Sequence, residues 1–221
     1  MINIIFLGPP GSGKGTQATM LAAELNIPAI SAGEALRKEV ELRSEIGKLA
    51  KSYMNSGDLV PDSVVISIIK NRIIQSDCQN GFILDGFPRN IDQAIALDSM
   101  LNSLNKKIDI VFNFEISDEI LIKRISGRIM CKQCGAVYNS YFKQPQQAGI
   151  CDNCKSDQFE SRSDDNESTV RNRMRVYKNS TLELIDYYEK KNLLCSIEAI
   201  KSVPLVFAQL SAAISKNFPK K

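Results

Sequence analysis

Residues 8–16 combine glycines, a lysine and a threonine in a spacing that suits phosphate binding. The segment reads Gly-Pro-Pro-Gly-Ser-Gly-Lys-Gly-Thr and directly follows the apolar run 2–7. Glycines let backbone N–H groups point at an anion, a following helix adds the positive end of its dipole, and the lysine reaches the β and γ phosphates. The segment therefore predicts a triphosphate-binding loop rather than a plain glycine-rich turn. Its predicted phosphate-binding residues are Gly11, Ser12, Gly13, Lys14, Gly15 and Thr16.

One position departs from the general phosphate-loop motif. Gly15 stands directly after Lys14, where the general motif has a serine or threonine. A hydroxyl ligand for the magnesium ion bound with a triphosphate is therefore less clearly indicated at this position. Asp85 supplies a carboxylate instead, since it follows the apolar run 82–84, the place where phosphate-loop enzymes keep a carboxylate for magnesium. The alternative for Asp85 is a helix or turn cap.

Four cysteines form two pairs with metal-ligand spacing. Cys131 and Cys134 make one CxxC pair, Cys151 and Cys154 make the other, and 16 residues separate them. Each pair places two sulfurs on one tight turn, and two such turns make a closed tetrahedral shell for zinc. With four protein ligands the metal is expected to be structural. Iron, a disulfide or an empty site are the alternatives. Cys78 and Cys195 are expected to be core thiols.

Composition excludes several classes of protein. The 221 residues are 43% hydrophobic and 24% charged with a net charge of +3, which predicts a packed fold of one domain with inserts. Histidine is absent, so catalytic triads, HExxH metalloproteases and imidazole acid–base mechanisms are excluded. The N-terminus fits neither a signal peptide nor a membrane anchor. We therefore expect a cytoplasmic protein with no membrane partner.

Apolar runs alternate with helical patterns along most of the chain. The runs 2–7, 82–84, 110–114 and 193–197 predict strands buried on both faces, with helices such as 17–25 and 91–104 between them. This alternation predicts an α/β fold with a parallel core sheet and crossover helices. Two stretches do not follow the alternation and are predicted to be inserts. The predicted division is a core of 1–30, 61–126 and 166–221, a helical insert of 31–60, and a second insert of 127–165 that contains the four cysteines.

The order of these motifs resembles the nucleoside monophosphate kinases, and most closely the adenylate kinases with a metal-bearing lid. The resemblance rests on GPPGSGKGT at 8–16, SAGEALR at 31–37, DGFPRN at 85–90, GR at 127–128, RSDD at 162–165 and the basic run 171–175. It implies a monomer that transfers the γ-phosphoryl group of Mg-ATP reversibly to AMP, giving two ADP. It also implies the three-layer α/β/α fold of the phosphate-loop NTPases, in which 31–60 binds the monophosphate and 127–165 is a zinc-ribbon-like lid.

The resemblance implies roles for individual residues. Lys14, Asp85 and four arginines would act on the phosphates, and the arginines are Arg89, Arg128, Arg162 and Arg173. The ATP site would add Arg124, Arg128, Val137, Tyr138 and Lys201 to the loop. The AMP site would comprise Ala32, Arg37, Asp58, Leu59, Val60, Gly86, Phe87, Pro88, Arg89, Gln93, Arg162 and Arg173.

Such an arginine set is chemically sufficient without histidine. The acceptor phosphate is already deprotonated, so phosphoryl transfer needs in-line positioning and charge neutralisation rather than a general base. Planar guanidinium groups supply both through paired hydrogen bonds. For each arginine taken alone, the alternative is a solvent-exposed position on the surface. We assign Arg43 and Arg72 to that alternative. Asp164 and Asp165 are second-tier candidates, as counter-charges that hinge the lid against arginines.

The acceptor base is less clearly indicated than the reaction. Ala32, Asn90 and the run 162–166 look like uridylate-cytidylate kinases, which leaves CMP or UMP open. Gln93 aligns with the adenine-reading glutamine of adenylate kinases, and the four-cysteine lid also belongs to that branch. AMP is therefore the predicted acceptor. The alternative for Gln93 is a polar residue on the outer face of its helix.

A nucleic-acid-binding zinc ribbon and a phosphate-loop GTPase are the competing functions. A ribbon that binds nucleic acid should be basic and rich in aromatic residues. Residues 129–161 carry three lysines against three acidic residues, so the ribbon is neutral and we expect no nucleic-acid partner. A GTPase should carry a base-reading Asn-Lys-x-Asp run, which the sequence lacks.

Overall fold

The fold was analysed in a computed structural model, which describes residues 1–162 and 164–218. Ser163, within the RSDD motif, and the closing Pro219, Lys220 and Lys221 lie outside the described residues. Within the described ranges, no helix combines the length and apolar character needed to cross a membrane.

A parallel sheet forms the centre of the molecule. Its strands lie in the order β2 (Ala29–Ser31), β3 (Gly81–Asp85), β1 (Ile2–Leu7), β4 (Ile110–Glu115) and β8 (Leu194–Glu198). The predicted strands are therefore present, the last beginning one residue later than expected. Strand β2 was not predicted, because three residues with an exposed first position carry little hydrophobic signal.

Helices cover both faces of this sheet because β1 is apolar on both sides. Ile5 and Leu7 pack into one cluster with α4 (Asp62–Ile73), α5 (Ile91–Ser103) and α8 (Glu183–Lys190). Ile4 and Phe6 pack into another cluster with α1 (Lys14–Leu25) and α9 (Val203–Asn217). This alternation builds the three-layer α/β/α arrangement that the sequence predicted. The helices are α1 (Lys14–Leu25), α2 (Ala32–Glu41), α3 (Glu45–Ser56), α4 (Asp62–Ile73), α5 (Ile91–Ser103), α6 (Asp118–Ser126), α7 (Glu167–Val176), α8 (Glu183–Lys190) and α9 (Val203–Asn217).

A second, antiparallel sheet lies within residues 127–165. Strand β5 (Arg128–Cys131) pairs with β6 (Val137–Asn139) on one side and with β7 (Phe159–Glu160) on the other. Its apolar cluster is small and contains two of the cysteines, Cys131 and Cys151, around the buried Tyr138. Burial of this size contributes little stability by itself.

Helices α2 and α3 form a helical pair between β2 and α4. Ser44 caps α3 by accepting a hydrogen bond from the Gly47 backbone N–H at 3.0 Å. Gly47 is tightly enclosed, since a Cβ atom placed on it would lie 2.0 Å from the backbone oxygen of Glu39. The absence of a side chain at Gly47 therefore sets how closely the two helices approach.

We predict that Gly47→Ala destabilises the chain by about 1–3 kcal/mol, because the added methyl forces the two helices apart. Gly33→Ala is the matched control, since Gly33 also lies in a helix of this pair and its Cβ would meet only the flexible end of Arg37. Thermal unfolding followed by circular dichroism measures both. Equal melting temperatures for Gly47→Ala and the unsubstituted chain would contradict the packing argument.

Candidate functional site

The loop between β1 and α1 holds Lys14 in a shell of acceptors. Three of its glycines have positive φ angles, which lets the chain curl around the lysine. The Lys14 ammonium donates to the backbone oxygens of Gly8 at 2.7 Å and Pro9 at 2.8 Å, and to Ser12 Oγ at 3.2 Å. Burial lowers the pKa of Lys14 to about 8. Burial disfavours the charged form of Lys14, and an anion placed beside the ammonium would stabilise that form.

Asp85 lies at the end of the adjacent strand, level with the loop. It is in register with Phe6 of β1, so both strands end at the same edge of the sheet. A Cβ atom built on Gly15 would lie 3.5 Å from Asp85 Oδ2, which places the carboxylate beside the first turn of α1. Gly15 thus leaves open space next to a carboxylate oxygen, the ligand type that magnesium prefers.

Five arginines from distant parts of the chain approach the same region. Electrostatic coupling links Lys14 to Arg89, Arg128 and Arg173, and links Arg173 to Arg37. Burial lowers the pKa of Arg89 and of Arg162 to about 10, and lowers that of Arg173 as well. These residues remain charged at neutral pH, so the chain encloses several mutually repelling cations.

Acidic residues neutralise part of this charge. Arg128 binds Asp165 through two hydrogen bonds, from Nε at 2.7 Å and from the neighbouring terminal nitrogen. Arg173 donates to Asp164 Oδ2 at 3.0 Å, and Arg37 lies 4.0 Å from the same oxygen. The two aspartates therefore pair with arginines, which supports the counter-charge role considered from the sequence.

One arginine contacts the helical pair from the other side of the cleft. Arg162 lies 3.8 Å from Glu34 of α2, and its Nε also lies 3.0 Å from the Met130 sulfur. Glu34 is two-thirds exposed whereas Arg162 is largely covered. This ion pair joins residues on the lid side to the α2–α3 pair, across the space between them.

A pocket lies between the helical pair and the carboxyl end of the sheet. Asp164 and Met54 are among its walls, and most of the sequence-predicted AMP residues line it as well. Phe87 lies beneath it, completely buried in the core. The predicted residues in the lining are Ala32, Arg37, Asp58, Leu59, Val60, Gly86, Arg89, Gln93 and Arg173.

Gln93 is buried at the pocket wall rather than displayed on an outer helix face. It is 1% exposed. Its Oε1 accepts a hydrogen bond from the Arg89 backbone N–H at 2.8 Å, and its Nε2 donates to Asp62 Oδ1 at 2.7 Å. The surface alternative for Gln93 is therefore wrong. The Asp62 partner was missed, because spacing alone does not bring residues 62 and 93 together.

Among the residues predicted for the ATP base, Arg124 contacts the phosphate loop. Arg124 donates to the backbone oxygens of Ala199 at 2.9 Å and Ser12 at 3.4 Å. Its guanidinium lies 5.7 Å from the ring of Phe142, which is 54% exposed. Lys201 pairs with Glu198 at 2.5 Å near Ala199. Phe142 was missed as a candidate. Its signal in the sequence is an aromatic residue within a polar segment.

Tyr138 faces the cysteines instead of the loop. Its side chain is 2% exposed and its hydroxyl lies 3.4 Å from Cys151 Sγ, while it accepts from the Asp152 backbone N–H at 2.7 Å. The hydrogen bond from Tyr138 lowers the pKa of the Cys151 thiol. Any contact of Tyr138 with a base would therefore involve its backbone.

The four predicted cysteines converge to one point. Their sulfur atoms all lie within 4.8 Å of one another, and the pairs Cys131–Cys154 and Cys134–Cys151 are 3.5 Å apart. These separations exceed the disulfide length of about 2.05 Å. They are close to the sulfur–sulfur spacing of a tetrahedral site with bonds of about 2.3 Å to zinc. The cluster therefore fits a metal ion better than a disulfide.

Comparisons with known proteins agree with this geometry. The family model described as Adenylate kinase matches residues 6–193. The chain is 50% identical to an adenylate kinase of Archaeoglobus fulgidus and 50% identical to one of Methanosarcina barkeri, each over 97% of this chain and 99% of the relative. It is 51% identical to an adenylate kinase of Caldicellulosiruptor saccharolyticus over 87% of this chain and 89% of the relative. The chain thus belongs to the adenylate kinase family.

Proposed function

We propose that this enzyme transfers the γ-phosphoryl group of Mg-ATP to AMP and releases two ADP, in a reversible reaction. The observation that carries the proposal is the junction of the phosphate loop with the pocket lined by Arg37, Arg89 and Gln93. A triphosphate in the loop and a monophosphate in the pocket would meet at the arginine cluster. That arrangement serves transfer between two nucleotides.

The transfer needs no proton carrier. An oxygen of the AMP phosphate forms a bond to the γ-phosphorus, and the bond from that phosphorus to the β,γ-bridging oxygen breaks, so both products leave as ADP. Lys14 exchanges its protein acceptors for phosphate oxygens and neutralises the charge that develops during transfer. Magnesium bound with ATP supplies further charge neutralisation, and Asp85 is the carboxylate we propose to hold it.

The arginines act by exchanging carboxylate partners for phosphate. In the structure, Asp164 and Asp165 form ion pairs with Arg173 and Arg128. We propose that phosphate oxygens replace part of these contacts when both nucleotides are bound, with Arg37 and Arg89 on the acceptor side. Paired hydrogen bonds from guanidinium groups then fix the two phosphates in line.

The base of ATP, the phosphoryl donor, would lie against Arg124. A guanidinium plane facing an exposed aromatic ring forms a platform on which a flat base can stack. Arg124 and Phe142 form such a pair beside the phosphate loop. We propose that the ATP base binds there, with backbone contacts from 137–138 and with Lys201 nearby.

The lid would be held rigid by zinc bound to the four cysteines. Its strands are short and its apolar cluster is small, so a metal supplies the crosslink that packing does not. We propose that 31–60 and 127–165 close over the core 1–30, 61–126 and 166–221 when both nucleotides bind. Closure excludes water, which would otherwise accept the phosphoryl group.

We predict that AMP is the preferred acceptor. A coupled assay of ADP formation, with Mg-ATP as donor and AMP, CMP, UMP or GMP as acceptor, should give a kcat/KM for AMP at least about tenfold above the others, because Gln93 offers an amide to the base edge. Equal use of UMP or CMP would overturn this choice of base.

We predict that Lys14→Met lowers kcat by about 100- to 1000-fold, the range for removing one preorganised donor from a developing charge. Lys51→Met, on the exposed face of α3, is the control and should keep full activity. Circular dichroism establishes that both variants are folded. A folded Lys14→Met variant with unchanged kcat would contradict the role of the loop.

Lys14 should also give ATP binding a distinct pH signature. Burial lowers the pKa of Lys14 to about 8, and a bound polyphosphate would raise this pKa, so binding takes up a proton above pH 8. Affinity should therefore fall as pH rises above 8, by up to about tenfold per unit. Calorimetry in buffers of different ionisation enthalpy measures the proton uptake. Lys14→Met should show neither effect.

We predict that Cys131→Ser lowers the bound zinc and the stability of the lid while the loop still binds ATP. A structural site with one ligand removed binds zinc far more weakly. Metal content by mass spectrometry and lid protection by hydrogen exchange measure the effect. Cys195→Ser is the control, since Cys195 lies in β8 outside the cluster. Unchanged zinc content in Cys131→Ser would contradict the four-cysteine site.

A further inference from the structure

The amide of Gln93 is held in one orientation by two independent partners. The Arg89 backbone N–H is a donor, so the Gln93 atom 2.8 Å from it must be the oxygen. The Asp62 carboxylate is an acceptor when ionised, so the atom 2.7 Å from it must be the nitrogen. Both contacts require the same orientation. Such agreement fixes the orientation of a buried amide.

These two contacts use half of the hydrogen-bonding capacity of the Gln93 amide. A side-chain amide has two acceptor lone pairs and two N–H donors. Arg89 takes one lone pair and Asp62 takes one N–H. One donor and one acceptor remain for a ligand in the pocket that Gln93 lines. An adenine edge offers a donor at its 6-amino group and an acceptor at N1. These two groups complement the remaining acceptor and the remaining donor of the Gln93 amide.

Asp62 is itself held in place by a second amide. Asn90 Nδ2 lies 3.1 Å from Asp62 Oδ1 and 3.0 Å from Oδ2, while Asn90 Oδ1 accepts from the Gln93 backbone N–H at 2.8 Å. Asn90 thus caps α5 and holds the carboxylate at the start of α4. The chain Asn90–Asp62–Gln93 joins the first turns of two helices at the pocket wall.

We propose that Asp62 is a specificity-positioning residue, which holds the Gln93 amide so that it accepts 6-aminopurine monophosphates and rejects 6-oxopurine monophosphates. A 6-oxopurine has an acceptor at position 6 and a donor at N1, so it needs the reversed amide. Reversing Gln93 would place its nitrogen against the Arg89 N–H and its oxygen against the Asp62 carboxylate. Both contacts are unfavourable. The inference rests on the proposed use of AMP.

The role of Asn90 follows from the same chain of contacts. Its resemblance to the pyrimidine enzymes raised the possibility of another acceptor base. In the structure its side chain is engaged by Asp62 and by the start of α5. Asn90 therefore acts on the base through the carboxylate.

The test compares AMP with inosine monophosphate as acceptors. In Asp62→Ala, one of the two partners that orient Gln93 is lost, so we expect the ratio of kcat/KM for AMP to that for inosine monophosphate to fall at least about tenfold. The KM for AMP should rise, while the KM for ATP and the melting temperature change little. Asp62→Glu keeps an acceptor-only carboxylate at the start of α4 and should restore the ratio to within about threefold of the unsubstituted enzyme.

Asp92→Ala is the matched control. Asp92 also lies in the first turn of a helix and carries the same charge, but it is exposed. We expect it to leave the ratio unchanged. Should Asp62→Ala fail to fold, Asp62→Ser replaces it, because serine suits a first helical turn and its shorter side chain does not reach Gln93.

Two results would overturn the inference. One is an unchanged ratio in a folded Asp62→Ala or Asp62→Ser variant. The other is an equal fall in all kinetic constants for both acceptors together with a lowered melting temperature, which indicates a structural role only. Failure of the proposed function is distinguishable, since the unsubstituted enzyme would then form no ADP from AMP.

Discussion

Buried, partly compensated positive charge is the constraint on which the rest of the structure depends. Lys14 and several arginines surround a space between the loop, the lid and the helical pair, and burial lowers the pKa of Lys14, Arg89 and Arg162. A chain that folds around such a cluster gives up stability to hold it. Under the proposed function, the same charges are already oriented and would need little rearrangement when phosphate binds.

Asp164 and Asp165 make this arrangement compatible with folding. They lie at the lid end of α7, and together they contact Arg37, Arg128 and Arg173. Carboxylate and phosphate oxygens present similar acceptors to a guanidinium group. The aspartates therefore hold the arginines close to the positions that we propose for phosphate binding. Under that proposal, phosphate would compete with these carboxylates, which would moderate how strongly it binds.

Local patterns in the sequence predicted the parts of the fold and site that depend on neighbours along the chain. The phosphate loop, Asp85, the buried strands and the two CxxC pairs all belong to this class, and the fold brings the four sulfurs together. Strand β2 was not predicted because it contains only three residues. Contacts between distant segments were missed as well, among them Asp62 with Gln93 and Arg124 with Phe142. No periodicity encodes which of several polar side chains will meet across a cleft.

Charge and hydrogen bonding contribute differently to the choice of substrate. The cationic cluster attracts any nucleotide phosphate, because every mononucleotide carries the same anionic group, so it provides affinity with little selection among bases. Selection requires a group with a fixed donor and acceptor, and a freely rotating amide would accept either purine pattern. The rigid contacts of Gln93 with Asp62 and with the Arg89 backbone remove that ambiguity. Specificity in this pocket therefore depends on what holds the amide, as well as on the amide itself.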